Sequence, residues 1–144
     1  AFKFQIRLAI EHDLPIVIHC REAFNEIFEI LDKENCNELR GVFHCFTGTF
    51  EEAQRAIDLG FVLGIGGVVT FKNGGIDKFL HKIDLKNIVL ETDSPYLAPV
   101  PFRGKRNESS YIIHVLEKLS EIYGISKEKI AEITSKNAEK VFRL

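Results

Sequence analysis

Pro15-Ile16-Val17-Ile18-His19 is a short apolar run that opens on a proline and closes on a histidine, and the same design occurs twice more. Gly41-Val42-Phe43 runs into His44, and Ile88-Val89-Leu90-Glu91-Thr92 runs into Asp93. Each run has the length and composition of a buried strand. In parallel α/β proteins the C-terminal ends of the strands gather on one face, where ligands bind. A polar residue at such an end is aimed at a ligand instead of the core. Two histidines and an aspartate placed in this way have the chemistry of a divalent-metal site.

Working outward, helical patterns separate the runs. The opening segment to His12 is amphipathic and stops before Leu14-Pro15, because a residue preceding proline avoids helical angles. A second helix is expected from about Glu22, with Phe24, Ile27, Phe28 and Leu31 on one face. Thr49 and Glu52 have capping-box spacing, and Gly60 is a natural helix stop. Phe61 to Ile65 is a further strand, followed by a short helix near Ile76 to Leu80. Beyond a proline-rich basic loop from Pro95 to Asn107 the chain is helical. Ile112, Val115, Leu116 and Leu119 make one stripe, Gly124 interrupts it, Ser126 caps the next helix, and Asn137 to Phe142 is expected as a last one.

The expected strand ends, at positions 19, 44, about 66 and 93, are 25, 22 and 27 residues apart. This rhythm of βα units suggests a (β/α)8 TIM-type barrel, which takes ~250 residues for eight units. The 144 residues hold about four, so the reading is a single partial TIM-barrel domain over residues 1–144. An open parallel sheet of four strands is the alternative. The chain opens at Ala1 inside a helical pattern, which suggests a processed or truncated product.

Composition narrows the function. A net charge of -2 argues against a broad electrostatic surface for duplex nucleic acid, while leaving room for a local basic loop. Three widely spaced cysteines without a CxxC fit reduced thiols in a cytoplasmic protein. No apolar run approaches the ~20 residues that span a bilayer, so no membrane partner is expected.

For His19 and His44 the plain alternative is a core histidine satisfied by hydrogen bonds. Their matched positions favour ligation, and neutral imidazole suits zinc, manganese or iron. Asp93 follows Glu91 by two residues, which puts both on one strand face. Asp93 is then a ligand or the base for a metal-bound water, with Glu91 behind it to orient the ligands. A turn aspartate ahead of Ser94-Pro95 is the competing view. Arg103, Lys105 and Arg106, in the loop after that strand, are candidates to hold phosphate, and Arg21 is a weaker one. They could equally be a solvated loop.

Cys20 and Cys45 each follow a histidine, but strand neighbours face opposite ways, so small buried residues are expected instead of a two-Cys, two-His zinc site. Cys36 falls in a polar loop and suggests no role. His12, His81 and His114 lie in helical patterns and are expected at the surface. Gly64-Ile65-Gly66-Gly67 lacks the spacing of a dinucleotide or P-loop and suggests close backbone approach.

Five stretches together resemble the TatD family of metal-dependent deoxyribonucleases: LPIVIHCREA (14–23), GVFHCFTG (41–48), GIGGVVT (64–70), LETDSPY (90–96) and PFRGKRNE (101–108). The resemblance covers essentially the whole chain. It implies a barrel of the metallo-dependent hydrolase type, of which this chain is the C-terminal half. It also implies phosphodiester hydrolysis, DNA as substrate, and one or two divalent metals such as magnesium, manganese or zinc. By motif match His19, His44 and Asp93 are ligands, and Asp93 can activate water. Ser109 stands where many members carry proline.

The family's His-x-His on the first strand and glutamate on the fourth do not occur here, so the ligand set implied for this chain is incomplete. Self-association, or a missing N-terminal half, would follow. An amide or ester hydrolase of the same superfamily, and a non-catalytic piece that binds metal or a partner, are the other readings. A two-His-one-carboxylate iron oxygenase fits poorly with ligands spread over three βα units.

Overall fold

The computed structural model describes residues 1–34 and 38–144, so Cys36 lies outside the described residues. Four parallel strands form one sheet: β1 Ile16–His19, β2 Gly41–His44, β3 Phe61–Ile65 and β4 Ile88–Leu90. Their order is β1-β2-β3-β4, consecutive and without reversal. Helices α1 Phe2–Glu11, α2 Phe24–Lys33, α3 Phe50–Asp58, α4 Ile112–Tyr123 and α5 Lys127–Phe142 connect or follow them.

Local chemistry sets the boundaries. Asp13 turns left-handed (φ 51°) after α1, and the N–H of Leu14 closes back on the Ala9 carbonyl at 2.8 Å. Thr49 and Glu52 form the capping box of α3. The Thr49 hydroxyl accepts from the Glu52 N–H at 3.2 Å, and the Glu52 carboxylate accepts from the Thr49 N–H at 2.7 Å. Ser126 caps α5 through the Lys129 N–H.

Several boundaries differ from the sequence expectation. Helix α2 starts at Phe24, because Glu22 sits at φ 59° and cannot be helical. The third strand spans Phe61–Ile65 as expected, but the fourth ends at Leu90, earlier than expected. The short helix near Ile76 is a pair of 3₁₀ turns, Ile76–Lys78 and Leu80–Lys82. The two expected C-terminal helices after Ser126 are one continuous helix, α5. Asn137 does not break it, because its side-chain amide leaves the helix and donates to the Leu85 and Ile88 carbonyls at 2.7 and 2.8 Å.

The sheet has two unlike faces. Ile18, Phe43, Phe61, Leu63, Ile65 and Ile88 join the main core with residues of all five helices. Phe24, Phe28, Phe43, Phe46 and Phe61 form a connected aromatic cluster with ring centroids 5.2–6.2 Å apart. Each such pair adds roughly 0.5–1.5 kcal/mol beyond area burial. The other face carries Val42, Val62 and Val89, covered by Val141 and Ala138 of α5. On β1 the corresponding Val17 stays 55% exposed. Alternation along the strands places His19, two residues beyond Val17, and His44, two beyond Val42, on this second face.

Candidate functional site

His19 and His44 are exact partners across β1 and β2, with ring centroids 5.7 Å apart. Behind them the chain leaves β4 and bends back. Glu91 N–H still donates to the Ile65 carbonyl at 3.1 Å, whereas Asp93 has turned left-handed at φ 56°. The two carboxylates therefore reach His44 from a turn, not from one pleated strand face as the sequence spacing suggested. Cys45 is also left-handed, at φ 46°. Its amide thereby donates to Glu91 at 2.6 Å.

His44 is held from both sides. Its Nδ1 lies 3.0 Å from the Glu91 carboxylate and its Nε2 lies 3.2 Å from Asp93 Oδ1. Gly64 makes room for this arrangement, because a Cβ there would run into the Glu91 carboxylate. Gly67 likewise admits the Leu97 carbonyl. Gly67 is the close backbone approach expected of the glycine-rich strand end. Burial raises the Glu91 carboxyl above its ordinary value, and the His44 imidazole opposes that shift. Burial, with the charges of Glu91 and Asp93, pushes the Cys45 thiol up to about 12. Cys20 is buried and its thiol is raised too.

Hydrogen-bond polarity tests the fit to a metal. If Nδ1 donates to Glu91, neutral Nε2 presents a lone pair to a carboxylate oxygen. The single N–H of a neutral imidazole cannot serve both carboxylates, so a further proton at one of the two contacts or a bound cation must separate the paired acceptors. Among the described residues no three of His, Cys, Asp and Glu converge closely enough to hold a metal by themselves. His44 and Asp93 therefore fit part of a donor set, His19 stands beside them with its ring centroid 5.7 Å from that of His44, and the remaining donors are left to other groups.

The site opens into a cleft of about 880 Å³ that contains His19, Asp93, Arg21, Arg103 and Tyr96. Arg103 lies flat on the Phe71 ring, its guanidinium carbon 3.7 Å from the centroid. Lys105 and Arg106 are exposed and do not line the cleft. Lys105 instead lies 5.9 Å from the Phe102 centroid. His12 and His81 are exposed, but His114 is half-buried against Phe102 and Tyr111.

Sequence reasoning missed Gly64 as the space-maker for Glu91, the Cys45 amide, and Asn107. Asn107 is buried, and its side-chain amide donates to the Thr92 and Tyr96 carbonyls at 2.6 and 2.7 Å. An asparagine at the end of a basic loop carries no periodic signal. Only its position beside Thr92 in space reveals it.

The family model described as TatD related DNase matches residues 1–143. A Bacillus subtilis (strain 168) protein named uncharacterized metal-dependent hydrolase YabD is 44% identical over 99% of this chain and 56% of its own length. A Citrobacter rodentium protein named 3'-5' ssDNA/RNA exonuclease TatD is 35% identical over 99% of this chain and 56% of its own. The solved TatD homolog YJJV of Escherichia coli K12 superposes with a TM-score of 0.90 at 27% identity, over 97% of this chain and 54% of that one. The chain thus spans about half the length of the relatives it matches.

Proposed function

The chain belongs to the TatD-related DNase family of metal-dependent hydrolases, and from that premise we propose that it contributes the strand-end half of a site that hydrolyses phosphodiester bonds in DNA. The observation that carries the reading is His44 clasped between Glu91 and Asp93, with Asp93 lining the cleft. His44, Asp93 and His19 would hold a divalent metal, whether magnesium, manganese or zinc. Such an ion would lower the pKa of a bound water toward ~7. Glu91 fixes the tautomer of His44 and keeps Nε2 directed at the site. Asp93 Oδ1, 3.2 Å from His44 Nε2, would take a proton there. Arg103, supported on Phe71, offers a planar cation to a phosphate, and Arg21 stands in the same cleft. That cation favours phosphodiester over amide or neutral ester. Lys105 and Arg106, outside the cleft, would act on more distant phosphates.

The consecutive strand order and the exposed Val17 on the edge strand support a sheet that is the second half of a (β/α)8 barrel. An unpaired edge recruits strands. The remaining strands would come from further residues of a longer protein or from a second copy. The partial donor set supports the same view, because a catalytically complete site would need ligands from elsewhere. A metal-binding piece without activity is therefore the second reading for residues 1–144 alone.

The test is cleavage of a labelled DNA oligonucleotide by the longest natural form of the protein, after metal stripping and readdition. Metal-dependent cleavage that disappears in Asp93→Asn is the expected result. Cleavage indifferent to chelator would overturn the reading. Light scattering on residues 1–144 alone should show self-association, and a well-behaved monomer would count against the half-barrel view.

A further inference from the structure

The geometry points to Tyr96 as a platform on which an unstacked nucleobase of the substrate lies; this rests on the phosphodiester reading above. Tyr96 exposes 70% of its surface, although it is a large ring three residues from Asp93 and lines the same cleft. An aromatic ring left in water forgoes the roughly 25 cal/mol per Å² that burial would return. Yet the backbone beneath it is firmly held. The Tyr96 N–H donates to the Asp93 carbonyl at 2.8 Å. The Tyr96 carbonyl accepts from the buried Asn107 amide, which also holds the Thr92 carbonyl. The Asn107 N–H donates to the Pro95 carbonyl at 3.0 Å. One buried side chain thus staples the segment that carries both Asp93 and Tyr96. The ring is exposed on a fixed support, with two side-chain torsions left to order.

Stacking on such a ring is sequence-tolerant, because every base has a π-face, and it contributes about 1–3 kcal/mol per base. Arg103 in the same cleft supplies the complementary contact. Its face is occupied by Phe71, which leaves the N–H edges for phosphate oxygens. Base on Tyr96 and phosphate on Arg103 is the recognition pattern of a single strand. In a duplex both faces of each base are already covered by neighbours, so Tyr96 would have nothing to take.

A single-stranded oligonucleotide with a terminal 2-aminopurine tests this, because stacking quenches that base. Wild-type protein should bind it with quenching. Tyr96→Ala should bind about tenfold more weakly and without quenching, while Tyr96→Phe keeps both properties. Replacing the 2-aminopurine by an abasic unit should erase the difference between wild type and Tyr96→Ala. Equal affinity and quenching in Tyr96→Ala would overturn the proposal, as would wild-type binding without quenching or no binding at all. Cleavage of the same oligonucleotide, measured in parallel, separates the two ideas. If cleavage persists while Tyr96→Ala is silent in every assay, only the stacking platform fails. If wild type neither binds nor cleaves, the phosphodiester reading fails with it.

Discussion

The two ends of the sheet solve the same problem in opposite ways. At the N-terminal end, α5 closes the space. Val141 packs on Val42 and Val89, Asn137 satisfies the Leu85 and Ile88 carbonyls, and Arg40 donates to the Val141 carbonyl at 3.1 Å. At the C-terminal end the described residues leave the space open. His44, Glu91 and Asp93 satisfy one another, two left-handed residues bend the backbone around them, and the cleft stays open. The same strands in the same register carry a finished seal at one end and a charged, strained opening at the other. Polar groups at the seal have fixed partners within the protein. Those at the opening have partners that a ligand can replace. Changes at the opening should therefore move activity with little loss of stability, and changes at the seal should do the reverse.

The largest expected effect sharpens that contrast from the open end. Asp93→Asn should lower oligonucleotide cleavage about 10²–10⁴-fold, the range for loss of a positioned general base. Its thermal unfolding midpoint should stay near wild type. A matching drop in stability would break the comparison, because Asp93 would then be part of the scaffold.

Next comes the sealed end. Asn137→Ala leaves two carbonyls without their donor and should cost about 1–3 kcal/mol in urea unfolding. Metal affinity, measured by titration calorimetry, should hold. Loss of metal binding at unchanged stability would show that the two ends are not independent.

A smaller effect is expected of Arg103→Ala. It should weaken oligonucleotide binding several-fold and lower the slope of log affinity against log salt by about 1. Lys105→Ala, changing a residue outside the cleft, should do less of both. Equal effects in the two variants would dissolve the distinction between a cleft cation and a loop cation.

The least effect concerns the thiol beside His44. The ordinary thiol value is 9.0, and in the fold Cys45 is pushed up to about 12. The folded protein then holds this proton more tightly than the unfolded chain. Stability is unaffected below pH 9 and falls as pH rises from about 9 toward 12. Cys45→Ser should reduce that alkaline loss relative to wild type. Native protein at pH 7.5 should also leave the Cys45 and Cys20 peptides unlabelled by iodoacetamide, as mass spectrometry would show. Ready labelling of Cys45 would show that its thiol is not held protonated by its surroundings.

Much of the frame was legible in advance because its causes are local. The Thr49–Glu52 capping box involves residues three apart, and the helix breaks at Pro15, Gly60 and Gly124 depend on single residues. The alternation of Ile16 to His19 needs only the pleat of one strand. The misplaced start of α2 traces to left-handed backbone at Glu22, and the turn that takes Asp93 off the strand has the same conformation, which non-glycine residues adopt only when surrounding structure holds them there. Asn137 was misjudged as the start of a new helix because its partners, the Leu85 and Ile88 carbonyls, lie about fifty residues away.

By itself the sequence determined that strands end on His19 and His44, that Glu91 and Asp93 lie near the end of the last strand, and which family those stretches belong to. These follow from periodicity and motif spacing, which act over a few residues. Tertiary structure alone decided that one imidazole spans both carboxylates, that Gly64 clears their space, and that Arg103 joins the cleft while Lys105 and Arg106 do not. It alone joined Thr92 and Tyr96 through Asn107. Each of these contacts links segments far apart in the chain, and its geometry depends on how strands register and turns bend, which no local pattern encodes.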